Sequence, residues 1–134
     1  MPAEIRSFFE RYREAFNALD GEAVAALYAV PCGIASDAGY THWPTLEPVR
    51  KNMVALCELY RKNGYISAEF EPAAFIAQGP TLAVADLSWG ITWEREEPWR
   101  FNTTYNLICA PEGWRVLLAT AYSEKRLDGR ADKR

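Results

Sequence analysis

Two side chains in the first third of the chain could carry acid–base chemistry. His42 is the only histidine, and imidazole titrates near neutral pH without help from its surroundings. Asp37 could act as a general base, but residues 37–39 (Asp-Ala-Gly) are typical of a tight turn, in which aspartate caps backbone amides. Neither residue has a sequence neighbour that would orient it. A surface histidine and a turn aspartate therefore stay open as alternatives to catalytic roles.

Aromatic residues alternate along the C-terminal third, and this pattern predicts one face of an antiparallel sheet. Residues 82–123 contain three alternating apolar segments separated by two turns, which is typical of consecutive strands. If Trp93 pairs with Trp99, and Tyr105 with Leu118, cross-strand partners share a face. Aromatic walls with a few hydroxyls are typical of a small-molecule pocket and equally of a core. The predicted ligand contacts are Phe16, Trp89, Trp93, Trp99, Phe101, Thr120 and Tyr122.

The same register assigns a second, less aromatic face to these strands. Asp86 falls on it beside Ser88 and Thr104, so hydrogen bonding across strands accounts for an aspartate there without catalysis. Small apolar residues mixed with hydroxyls and amides suit contact between two copies of the sheet, although a half-solvated face has a similar composition. The apolar members of this face would be Val84, Ile108, Leu117, Ala119 and Ala121.

The composition indicates one globular domain without affinity for polyanions. The 134 residues, 49% of them hydrophobic, suffice for one core, predicted over residues 1–124 and followed by a flexible tail over residues 125–134. A net charge of −3 argues against binding to nucleic acid or to an anionic membrane. Three scattered cysteines and one histidine predict no disulfide, no metal site and no cofactor. The sequence shows no secretory signal and no apolar run long enough to span a membrane, so we expect a cytoplasmic location.

Apolar residues at helical spacing predict three helices. The first covers residues 5–19, and Asp20 is suited to cap a short second helix that buries Tyr28. The third ends at Gly64, because glycine adopts the left-handed conformation that closes a helix.

Strands alternate with these helices. A short hairpin is predicted from residues 32–36 and 40–43, and a long strand over residues 65–77, bent at Pro72, leads into the three C-terminal strands. Helices gathered on one side of an antiparallel sheet make an α+β fold.

Two segments of the chain resemble the nuclear transport factor 2-like superfamily. Residues 12–20 (Tyr-Arg-Glu-Ala-Phe-Asn-Ala-Leu-Asp) and 25–29 (Ala-Ala-Leu-Tyr-Ala) look like its opening helices, and residues 113–124 look like its last strand. That superfamily includes ketosteroid isomerases and SnoaL-like polyketide cyclases. The resemblance implies a cone-shaped, curved antiparallel sheet packed against three N-terminal helices, with a pocket at its open end. It also implies a homodimer formed through the outer sheet face.

The resemblance further implies roles for two tyrosines. In ketosteroid isomerases a tyrosine of the first helix lies eight residues before the aspartate that opens the second, and Tyr12 stands at that distance from Asp20. Tyr105, counted back from Gly113, takes the place of the second oxyanion donor, so both tyrosines would donate hydrogen bonds to a ligand oxygen. The base would fall on Ser36, whose hydroxyl is too weak a base to remove a proton from carbon. The chain is therefore not expected to be a ketosteroid isomerase.

Two functional hypotheses follow. In the first, the domain binds a small, largely apolar molecule in an aromatic-lined pocket, with Tyr12 and Tyr105 at its polar end. Cofactor-free chemistry of isomerase, cyclase, dehydratase or hydrolase type would need Asp37 or His42 as base, so enzymatic activity stays open. In the second, both tyrosines are core residues and the protein is a non-catalytic dimeric interaction or scaffold domain. Fold alone does not separate the two.

Overall fold

The computed structural model describes residues 1–123 as three helices and six strands. The helices are α1 (Ala3–Asn17), α2 (Gly21–Ala25) and α3 (Leu46–Lys62). The strands are β1 (Tyr28–Ser36), β2 (Gly39–Trp43), β3 (Tyr65–Gln78), β4 (Leu82–Trp93), β5 (Trp99–Ala110) and β6 (Gly113–Ser123). The predicted tail, residues 125–134, lies outside the described residues.

All six strands belong to one curved sheet, in the order β2-β1-β6-β5-β4-β3. Neighbouring strands are antiparallel except β1 and β6, which run parallel, so the sheet is mixed. Bulges interrupt the ladders of β1, β3 and β6, and each bulge bends its strand. The helices pack on the inner face of this sheet, which confirms the predicted α+β class.

The first helix supplies the largest buried side chains. Ile5, Phe8, Phe9 and Tyr12 recur at helical spacing and are all buried, as the apolar periodicity predicts. The ring of Phe9 packs against that of Tyr105 with centroids 4.8 Å apart. This contact places α1 across the inner face of β5.

Asn17, the last residue of α1, holds the beginning of β3. Its side-chain oxygen accepts hydrogen bonds from the backbone N–H of Ala68 at 2.8 Å and from the Tyr65 hydroxyl at 2.5 Å. Its amide group donates to the Ala68 carbonyl at 3.3 Å. A bulge lies between Tyr65 and Ser67, so the side-chain bridge supports the strand where its ladder is irregular.

The second helix is shorter than predicted. Asp20 caps it as expected, accepting a hydrogen bond from the Ala23 backbone N–H at 3.1 Å, but the helix ends at Ala25. Tyr28 is the first residue of β1 rather than part of the helix, which corrects the prediction. Tyr28 pairs with Val116 of β6, and this ladder satisfies its backbone groups in place of helical bonds.

Close packing of α2 on α3 leaves no room for a side chain at Gly21. A Cβ atom there would lie 2.5 Å from the Cα atom of Val54, which moves only with the α3 backbone. We predict that Gly21→Ala lowers the free energy of unfolding by about 1–3 kcal/mol through overpacking. Chemical denaturation measures the loss. The neighbouring exposed variant Glu22→Ala is the control, with an expected change below about 0.5 kcal/mol, and equal stabilities of the two variants would contradict the packing argument.

The β4–β5 pair differs in register from the prediction but keeps its faces. Trp89 pairs with Phe101 and Ile91 with Trp99, a shift of two residues from the predicted alignment. Because side chains alternate with a period of two, each stays on its predicted face. On the other edge of β4, its end at Trp93 pairs with Tyr65 of β3.

A bulge in β6 exchanges the two faces of its C-terminal half. Tyr105 pairs with Ala119 instead of Leu118, because Leu117 is an extra, unpaired residue in β6. A shift of one residue moves every following side chain to the opposite face. Ala119 and Ala121 therefore lie on the inner face, and Thr120 and Tyr122 on the outer face, opposite to the prediction.

Candidate functional site

A cavity of about 440 Å³ lies between the inner face of the sheet and the helices α1 and α3. Its inner end is formed by buried side chains, and its outer end by exposed residues of the β1–β2 hairpin and partly exposed residues of α3. This volume falls within the range of small-molecule sites. The lining side chains that the structure describes are all uncharged, and most are apolar or aromatic.

Three tyrosine hydroxyls and one indole meet at the inner end. The hydroxyls of Tyr12 on α1 and Tyr28 on β1 lie 2.8 Å apart, and the ring of Tyr12 packs edge-on against that of Tyr105 on β5, with centroids 5.4 Å apart. The indole N–H of Trp89 on β4 donates to the Tyr105 hydroxyl at 2.9 Å. We refer to Trp89, Tyr105, Tyr12 and Tyr28 as the phenol chain. Four elements distant in sequence therefore build one polar group inside an apolar cavity.

The phenol chain contains more polar hydrogens than its internal bonds use. Each of its four members brings one such hydrogen, and two hydrogen bonds join them, Tyr12 with Tyr28 and Trp89 with Tyr105. Since an indole N–H only donates, the Tyr105 hydroxyl accepts from Trp89 and keeps its own hydrogen. In the Tyr12–Tyr28 pair one hydrogen is likewise left over. The cavity thus offers a donor to a ligand's acceptor.

Burial keeps these phenols protonated. Desolvation raises the pKa of Tyr12, Tyr28 and Tyr105 above the ordinary tyrosine value of about 10, because a phenolate is costly away from water. The proximity of Tyr105 and Tyr28 raises the pKa of Tyr12 further. Nearer the mouth, burial raises the pKa of Tyr60 to about 12. At neutral pH the site therefore presents neutral donors.

Both predicted tyrosine donors line this cavity, whereas the two predicted acid–base residues lie outside it. Asp37 is exposed in the β1–β2 turn and borders a second, open depression at the cavity mouth. His42 is exposed on β2, and its Nδ1 hydrogen-bonds the Tyr40 hydroxyl at 3.1 Å. Tyr40 and Thr41 line the cavity, but His42 does not. Catalytic roles for these two residues stay predictions.

The predicted aromatic walls divide into three groups. Phe16, Trp89 and Phe101 line the cavity. Trp99 borders the open depression at the mouth and is 47% exposed. Trp93 is buried against Trp99, with ring centroids 4.7 Å apart, and does not line the cavity.

Thr120 and Tyr122 do not line the cavity, contrary to the prediction, because the β6 bulge turns them to the outer face. The Tyr122 hydroxyl, beside the mouth depression, donates to one carboxylate oxygen of Asp86 at 2.7 Å. Thr104 donates to the other oxygen at 3.2 Å. Asp86 is thus held by cross-strand bonds on the face where the sequence placed it. In β6, Ala121 lines the cavity instead.

Several wall residues carry no sequence signal that separates them from core. On α3, Asn52, Leu56 and Tyr60 line the cavity at intervals of four residues. Tyr60 stacks on Tyr65 of β3, with ring centroids 5.5 Å apart and planes inclined by 7°. The apolar stripe of α3 predicts that Leu56 and Tyr60 point inward. It does not reveal that Asn52 shares their face or that the space before them is empty.

Residues 1–123 contain neither a metal cluster nor a membrane-spanning helix. In this part of the chain, no three histidine, cysteine, aspartate or glutamate side chains lie close enough to hold a metal ion. None of its helices is long and apolar enough to cross a membrane. All three cysteines are free. Cys32 and Cys57 are buried, while Cys109 is exposed.

Comparison with known proteins identifies the family. The family model described as NTF2-like protein (DUF6841) matches residues 3–124. The chain belongs to this NTF2-like family. The resemblance found in the opening helices and the last strand is thereby confirmed, and the match extends over the whole described NTF2-like fold.

Solved structures share this fold at low sequence identity. An NTF-2 like protein of unknown function from Shewanella oneidensis superposes with a TM-score of 0.74 at 13% identity, covering 90% of this chain and 97% of that one. A cystatin-like domain of unknown function from Nostoc punctiforme gives 0.72 at 20% identity, covering 96% and 82%. A ketosteroid isomerase-like protein from Erwinia carotovora atroseptica gives 0.69 at 14% identity, covering 92% and 96%. No curated protein matches the chain.

Proposed function

We propose that this protein binds a small, largely apolar, neutral molecule that carries a hydrogen-bond acceptor, such as a ring ketone. The observation that carries this proposal is the surplus donor of the phenol chain at the inner end of an uncharged cavity. A ketone oxygen accepts hydrogen bonds and donates none, so it matches that surplus. The rings of the ligand would pack against Phe16, Trp89 and Phe101.

Desolvation restricts the ligand to neutral molecules. A charge moved into this cavity would lose its hydration, and the lining that the structure describes offers no opposite charge in return. A buried acceptor also costs free energy unless it is hydrogen-bonded, and the phenol chain supplies that bond. The expected ligand is therefore a neutral, largely apolar molecule with one acceptor that reaches the phenol chain.

Within this proposal the protein acts by binding. Removal of a proton from carbon requires a base beside the ligand, and the raised pKa values of Tyr12, Tyr28 and Tyr105 make them donors at neutral pH. Asp37 borders only the open depression at the mouth. Cofactor-free acid–base chemistry would thus require a ligand long enough to reach Asp37 from the cavity.

The interaction-domain hypothesis is compatible with ligand binding. Val84, Ile108 and Leu118 lie on the outer face and are only half-buried in a single chain, which suits a homodimer formed through this face. The cavity lies on the opposite face, so the two functions do not compete. Three free thiols suit a reducing cytoplasm, where we place the protein.

We predict that α-tetralone, a neutral bicyclic ketone, binds saturably and about tenfold more tightly than its hydrocarbon analogue tetralin. This difference in binding free energy between the two ligands is the contribution expected from one hydrogen bond to the ketone oxygen. Isothermal titration calorimetry measures both affinities. Tyr28→Phe should lower the ratio of the two affinities, since it removes one of the hydroxyls that can donate to the ketone oxygen.

Tyr122→Phe is the matched control, because it removes a tyrosine hydroxyl from the outer face. It should leave the preference for the ketone unchanged. Equal affinities of the unmodified protein for tetralone and tetralin would contradict the proposed donor site.

A further inference from the structure

The cavity also has an amide side chain on its α3 wall, separate from the phenol chain. Asn52 lines the cavity from α3, between the first turns of that helix and the cavity residues Leu56 and Tyr60. The phenol chain, by contrast, comes from α1 and the sheet. An amide at this position interrupts a helix face that is otherwise apolar or aromatic toward the cavity.

The Asn52 side chain is poorly satisfied within the protein. Its only hydrogen bond among residues 1–123 is a 3.8 Å contact from the amide nitrogen to the sulfur of Met53, which is a weak acceptor. Its carbonyl oxygen has no hydrogen-bond partner in that part of the chain. The residue is also half-buried, so part of its hydration is already lost. A ligand group that completes these bonds would therefore gain affinity.

We propose that Asn52 is a second polar contact for the ligand and selects neutral ring compounds that carry a hydroxyl in addition to the acceptor. This inference rests on the proposed function. An amide offers both a donor and an acceptor, and a hydroxyl can pair with either. The ligand then spans the cavity, with its acceptor on the phenol chain, its rings between the walls, and its hydroxyl on Asn52.

The test compares α-tetralone with the isomeric ring-hydroxylated tetralones, titrated calorimetrically against the unmodified protein and Asn52→Leu. Leucine keeps the branching of asparagine at Cγ and removes both polar atoms. At least one isomer should bind the unmodified protein about tenfold more tightly than α-tetralone, the gain expected for one hydrogen bond. In Asn52→Leu the hydroxylated ligand and α-tetralone should bind with affinities within about twofold of each other, a selective loss of preference that a general defect in folding would not produce.

Asn52→Ala serves as a second variant, with the same expected loss. The inference is overturned if no isomer shows the gain, or if the gain survives in both variants. Binding of α-tetralone without an Asn52-dependent gain overturns this inference alone. Absence of α-tetralone binding to the unmodified protein overturns the proposed function as well, so the two failures are distinguishable.

Discussion

Ala121→Phe is expected to weaken the binding of α-tetralone at least about a hundredfold, a loss of about 2.7 kcal/mol. Ala121 lines the cavity from β6, so a phenyl ring there occupies the space of the ligand's rings. The cavity has a volume of about 440 Å³, so the added ring fills empty space rather than an already packed core. The free energy of unfolding should therefore not fall.

The neighbouring variant Thr120→Phe is the matched control. It adds the same ring one residue earlier, on the outer face of the sheet, and should leave the affinity within about twofold. Isothermal titration calorimetry, with thermal unfolding of both variants, measures the contrast. The reverse outcome, with Thr120→Phe abolishing binding and Ala121→Phe sparing it, would contradict the β6 bulge and the assignment of the cavity wall.

Alkaline unfolding is the second large effect that we expect. The pKa values of Tyr12, Tyr28 and Tyr105 are raised by burial in the folded protein, whereas in the unfolded chain they return to about 10. Above that pH the folded state holds more protons than the unfolded state, so stability is fully present below pH 10 and falls as pH rises further. Three such phenols should together remove roughly 4 kcal/mol by pH 11.

Thermal unfolding as a function of pH measures this loss, with tyrosinate absorbance recorded in parallel. The inner tyrosines should ionise together with unfolding, while exposed ones ionise earlier. Tyr28→Phe should reduce the slope of stability against pH by about a fifth, since burial also raises the pKa values of Tyr60 and Tyr65 and Tyr28 is one of five such groups. The exposed variant Tyr40→Phe should leave the slope unchanged. Ionisation of all seven tyrosines near pH 10 with the fold intact would contradict the buried phenol chain.

The elements of the fold could largely be predicted because local patterns and tertiary packing agree there. The spacing of Ile5, Phe8 and Phe9 predicts the buried side of α1, and Asp20 caps α2 as its side-chain chemistry predicts. Alternation along β4 matches its observed burial residue by residue. Tyr28 was misassigned to α2, because its pairing with β6 is a long-range contact that the local pattern does not contain.

The candidate site could be predicted only in part, because it depends on register and on empty space. One extra residue, Leu117, reverses the faces of Thr120 and Ala121, and no turn residue in β6 signals this bulge. The aromatic composition of the inner face is the same whether the space in front of it is filled or empty. Asn52 becomes a candidate only when the cavity beside it is known.

A crystal structure of the protein with α-tetralone tests the central claim most directly. We expect the ketone oxygen about 3 Å from a hydroxyl of the phenol chain, and the rings against Phe16 and Phe101. Tetralone found only in the open depression at the mouth or on the outer sheet face, with the cavity empty at saturating concentration, would contradict the account.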